Sequence, residues 1–237
     1  MTWSNLWHLW LTILFSGGVL FLITALLISA VTQQTNTLIE RRFGARVVDY
    51  LALFGVVVHE LSHALMAIIF RHDVDKIQLF QRGDVKADGY RTRGYVSHSW
   101  KPDSFYQQMG NLMIGLAPMF GITAVGFGLT WWLWPEVFNL GKSDLFTQNS
   151  WWQLPLLFLL LISLVLGMKL SRSDWNGVRS GLPQYVILLT IVTIILWLMQ
   201  ITAEMVWMSV GNTLLIGLVG LFGISVVVYI IVWVLTR

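Results

Sequence analysis

The chain has no cysteine. Disulfides and thiolate metal sites are therefore excluded, and any bound metal must be held by His, Asp, Glu or Asn. Charge is scarce as well: Asp, Glu, Lys and Arg make up 11% of the 237 residues, where a soluble globular domain carries about 25%. That leaves no room for a large separate soluble domain. The formal net charge of +3 is modest; it comes from loop Lys and Arg and does not argue for a nucleic-acid partner. Residues 71–103 form the only long polar stretch. No internal repeat or low-complexity segment is present. The first residues lack Lys and Arg, and the apolar run 6–31 is too long for the core of a cleavable signal peptide. It is expected to be a retained first span.

Apolar residues dominate instead. Hydrophobic types make up 56% of the chain, with 13 Trp, a residue that favours membrane–water interfaces. Several apolar runs exceed the ~18 residues that indicate a membrane span. The expected fold is an all-α polytopic membrane protein of about six transmembrane helices, at 6–31, 47–70, 105–134, 151–170, 184–203 and 213–235. The lipid bilayer is its surroundings. Short half-alternating runs broken by Gly, Ile77 to Phe80 and Gly94 to His98, predict a small β-hairpin between spans two and three, with a turn at Gly83-Asp84. Six spans put both termini on one side. All 15 Lys and Arg except Arg41, Arg42, Arg46 and Lys142 then fall on that side, which the positive-inside rule makes cytoplasmic. The expected location is a bacterial cell membrane.

Inside the second apolar run stands His59-Glu60-Leu61-Ser62-His63. Residues four apart lie on one helix face, about one turn (~6 Å) along the axis. His59 and His63 can therefore aim at one metal ion, and Glu60, ~100° further round, can reach a water beside it. The set suits one Zn²⁺ per chain: two neutral imidazoles, a third ligand from elsewhere and an open position. Ionisable side chains at bilayer depth are costly and usually functional. His63 is eight residues from Arg71, ~12 Å along a helix.

The third ligand must lie at the same depth. His72, Asp73, Asp75 and His98 are on the correct side, and Asp174, just after the fourth apolar run, is the leading candidate. The same Asp174 also fits a helix cap, because Ser171-x-x-Asp174 is a capping pattern.

With these residues the chain resembles the site-2 protease family of intramembrane zinc metalloproteases, most of all its small members without a PDZ domain. The resemblance rests on His59-Glu60-Leu61-Ser62-His63-Ala64, on Gly115-Leu116-Ala117-Pro118 in a later span, and on an Asp shortly before a Gly about a hundred residues downstream. It covers about residues 47–181, the expected catalytic core within a single membrane-embedded domain. The family's Asn-Pro-x-Pro-x-x-x-x-Asp-Gly is not kept, because Trp175-Asn176 separate Asp174 from Gly177. The resemblance implies a membrane-anchored protein substrate.

The chemistry follows from the residues themselves. A zinc ion lowers the pKa of water towards ~7, and Glu60 is placed to take the proton as general base. Asn111 and Asn176 are candidate oxyanion or substrate donors, with an interhelix hydrogen bond and a turn as their ordinary roles. An exposed strand edge in the hairpin can hold a locally unwound substrate. Other readings stay open: a non-catalytic binder of membrane proteins, a zinc carrier, or a metalloprotease with a Glu ligand. A regulatory membrane partner that gates the site is also left open.

Overall fold

The computed structural model describes residues 2–81, 93–138 and 151–237. The turn expected at Gly83-Asp84 lies outside these, as does most of the loop expected after residue 135. The described chain is mostly helical. Helices α1 (Trp3–Leu14) and α2 (Leu20–Phe43) are joined by a π-turn and form one rod of 41 residues, Trp3–Phe43. Gly44 stops it at φ 86, a conformation open to glycine and strained for other residues. Helices α3 (Ala45–Leu51) and α4 (Leu53–Ile69) follow, bent by 61°. Strands β1 (Asp73–Gln78) and β2 (Tyr95–Ser99) pair antiparallel, Val74 with His98 and Ile77 with Val96. Helix α5 (Phe105–Leu133) starts where the Ser104 hydroxyl accepts the Gln107 N–H. Then come α6 (Gln153–Leu166), α7 (Arg172–Leu198), and the rod of α8 (Ala203–Val206) and α9 (Asn212–Leu235), again with a π-turn between.

Among the described residues, four stretches are long and apolar enough to cross a membrane: Trp3–Phe43, Phe105–Leu133, Arg172–Leu198 and Ala203–Leu235. The bent α3–α4 pair makes a fifth if taken as one span. Helix α6 has 14 residues, ~21 Å, against a hydrocarbon core of ~30 Å. The expected fourth and fifth spans are not two antiparallel crossings. Phe158 packs its ring on Trp134, Leu161 and Leu164 lie against Gly126, the Asp174 carbonyl against Gly115, and Leu112 against Gly181. Positions rise along α6 and α7 as they fall along α5, so the two helices form one rod with a break at residues 167–171. The polar stretch 171–183, expected as a loop, is the first half of α7. Its Ser171-x-x-Asp174 is a complete capping box that starts a helix there.

A second departure follows from packing direction. Phe15 meets Trp207, Ala25 and Ile28 share a cluster with Leu221 and Phe222, and Ile39 shares one with Val232. The first and last rods therefore run parallel. Their outer ends, Trp3 and Leu235, lie at opposite ends of the molecule, not on one side as six crossings would require.

The hairpin also differs in place. It folds back along α4: His98 meets His72 beyond the helix end, Gly94 lies on Glu60, and Arg93 pairs with Asp49 of α3 at 2.6 Å. The sequence reading set Arg93 and Arg46 on opposite sides; in the structure Arg93 reaches the residue three places after Arg46. Both members of the pair are largely buried, and a charge in such surroundings requires an opposite one.

Candidate metal centre

Helix α4 carries His59, Glu60 and His63 on its inward face, all buried. Close backbone contact surrounds that face. A Cβ on Gly167 would lie 2.4 Å from the Gly55 carbonyl carbon, and one on Gly115 would lie 2.5 Å from the Asp174 carbonyl oxygen. Glycine at these points lets α4 approach the α6–α7 break and lets α7 approach α5, as small residues do between membrane helices.

The contact brings backbone carbonyls to the imidazoles. His59 Nδ1 donates to the Gly167 oxygen at 2.9 Å, and His63 Nδ1 donates to the Ile114 oxygen at 2.8 Å. With Nδ1 protonated, each neutral ring turns an unprotonated Nε2 inward. The two Nε2 atoms are 3.0 Å apart. Two lone pairs at that distance repel unless a cation or a proton lies between them. Asp174 closes the group, with Oδ1 3.3 Å from His63 Nε2 and Oδ2 3.8 Å from His59 Nε2. Among the described residues, His59, His63 and Asp174 are the His/Asp/Glu cluster whose ligand atoms converge, all within 4.8 Å of one another. Two imidazole nitrogens and one carboxylate oxygen are a donor set suited to zinc or a similar divalent ion.

The two sequence readings of Asp174 turn out to be compatible. Its Oδ2 accepts the Ser171 N–H, and its own N–H donates to the Ser171 hydroxyl at 3.2 Å. The residue caps α7 and, from the same carboxylate, faces both histidines.

A cavity of about 330 Å³ opens on this group. Glu60, Asn111, Gly115, Gly177, Tyr95, Val96 and His98 are among the residues lining it. Gly94 presses on Glu60, where a Cβ would come within 2.6 Å of Cγ. Asn111 is 2% exposed, and its Nδ2 has no hydrogen-bond partner among the described residues. Asn176 is exposed and outside the cavity lining. It lies two residues from Asp174, ~200° round the helix, whereas Gly177 shares Asp174's face.

The other ligand candidates lie outside the converging group, although His98 lines the cavity. His72 Nε2 donates to the Gln107 carbonyl at 2.8 Å, and its Nδ1 receives the His98 Nδ1–H at 2.9 Å, with Trp100 against both rings. Burial holds both imidazoles below the ordinary histidine range, and His72 pushes His98 further down. Asp73 and Asp75 sit on β1, outside the converging group. The supporting carbonyls of Gly167 and Ile114 had no signal in the sequence beyond Pro118 and the glycines themselves.

Comparison with models of known families, with curated proteins and with solved structures finds no match to this chain.

Proposed function

We propose that the protein is an intramembrane zinc-dependent endopeptidase that cleaves a membrane-anchored protein within its transmembrane segment. The observation that carries this reading is the pair of inward, unprotonated Nε2 atoms facing the Asp174 carboxylate on a cavity that Glu60 also lines. His59, His63 and Asp174 would hold the ion. A zinc bound there supplies Lewis acidity and lowers the pKa of water towards ~7. One aspartate leaves such a site at +1, which ionised Glu60 offsets.

The chain's own groups do the rest. Glu60 takes a proton from the attacking water and delivers it to the nitrogen of the departing amine. The unpartnered Asn111 Nδ2 donates to the scissile carbonyl oxygen as charge develops on it. A helical substrate hides its carbonyls in its own hydrogen bonds and must be unwound first. Tyr95 and Val96 of β2 border the cavity, so an extended substrate segment can align there by strand addition.

The test separates chemistry from binding. Glu60→Gln preserves size but cannot accept a proton at neutral pH. It should keep wild-type zinc content while cleavage of a membrane-anchored substrate falls ~10²–10⁴-fold. Cleavage at the wild-type rate would remove Glu60 as the general base, and a zinc-loaded wild type that does not cleave would return the site to a carrier or a non-catalytic binder of membrane proteins.

A further inference from the structure

The carbonyls that orient the two histidines are free for different reasons. Gly167 follows the last residue of α6, where carbonyls run out of helical donors. Ile114 lies in the middle of α5, where a carbonyl ordinarily accepts the N–H four residues on. That residue is Pro118, buried inside the helix, and proline has no N–H. The Ile114 oxygen is left without its helical donor in an apolar interior, where an unsatisfied carbonyl is costly. His63 Nδ1 supplies the missing hydrogen bond at 2.8 Å.

We propose that Pro118 is a positioning residue of the metal centre: by withholding an N–H from α5, it frees the Ile114 carbonyl to fix the His63 ring with Nε2 turned to the metal. The inference rests on the metal reading of His59, His63 and Asp174. It gives a chemical reason for a proline at this point in a membrane helix, one that a bend alone does not give. Pro183 provides an internal comparison. It too lies inside a helix, α7, and frees the carbonyl of Arg179 in the same way, but neither His59 nor His63 uses that carbonyl.

Alanine at 118 restores the N–H, which then competes with His63 for the Ile114 oxygen. Loss of a partner that orients a ligand typically costs 10–100-fold in metal affinity. The experiment titrates Zn²⁺ into the purified full-length protein against a competing chelator. Pro118→Ala should bind zinc at least ~10-fold more weakly than wild type, and Pro183→Ala should match wild type. A third variant carries lactic acid at 118, an ester with alanine's side chain and no N–H. It should bind like wild type. Pro118→Ala with wild-type affinity, or an ester as weak as Pro118→Ala, would overturn the proposal; the second result would trace the effect to the proline ring instead of the missing N–H. If Pro118→Ala does not fold, ¹⁵N NMR of the wild-type histidines decides: His63 protonated at Nδ1 supports the proposal, and His63 unprotonated there overturns it. Wild-type protein that takes up no zinc removes the metal reading itself, whereas zinc-binding wild type with an unaffected Pro118→Ala removes only this inference.

Discussion

A methyl group added to Gly167 would lie 2.4 Å from the carbonyl carbon of Gly55, whereas one added to Gly217, Gly220 or Gly223 of α9 would meet nothing within 4 Å. The same residue type serves two different ends. Around the candidate metal centre, glycine removes the side chain that would keep two backbones apart, and the carbonyls thus brought close become hydrogen-bond partners for His59 and His63. In α9 most of the surface is apolar and open, with Leu218, Ser225 and Val228 its buried positions. Glycine there faces outward and holds nothing in place. Glycine content therefore does not mark the functional half of this molecule; backbone proximity does.

Substitutions can break or sharpen that contrast. The largest effect is expected at Gly167→Ala. Its Cβ cannot be accommodated without parting α4 from the α6–α7 break, which moves the carbonyl that orients His59. Overpacking of this kind costs about 1–3 kcal/mol, so the melting temperature should fall and zinc content should drop with it. Gly126→Ala should be mild, because its nearest neighbour would be a Leu164 methyl at 3.6 Å, an ordinary contact. The smallest change is expected at Gly220→Ala, which meets nothing and exchanges glycine for a better helix former, a gain of up to about 1 kcal/mol. Thermal unfolding and elemental analysis on the same samples check all three. Zinc loss in Gly220→Ala equal to that in Gly167→Ala would remove the distinction.

The part of the site legible in the sequence is the part set by local geometry. His59 and His63 share a face because they are four residues apart on a helix. The helical membrane character followed from long apolar runs, and the hairpin from Gly-punctuated alternation. Asp174 was found by depth and chain order, and its capping role by the Ser-x-x-Asp spacing. What failed depended on tertiary direction. Ser, Asn, Gly and Pro in 171–183 resemble a loop, yet the first three turns of α7 are formed from them, with Gly177 and Gly181 packed against the α5 backbone. With that segment helical, two expected spans became one broken rod and the termini moved to opposite ends. Asn176 looked as suitable as Asn111 until the phase of α7 was known. The Nδ1 partners were hidden because both are backbone atoms, marked in the sequence only indirectly, by Pro118 and the glycines.

The central claim is that His59, His63 and Asp174 together hold one metal ion. It is tested most directly by zinc content in wild type, Asp174→Ala and Ser171→Ala, each purified as the full chain. Ser171→Ala takes away the hydroxyl half of the α7 cap and leaves the carboxylate in place; Asp174→Ala takes away both the cap and the ligand. The prediction is about one zinc per chain in wild type and in Ser171→Ala, with most of it lost from Asp174→Ala. Wild-type zinc content in Asp174→Ala would contradict the account and leave Asp174 as a helix cap alone.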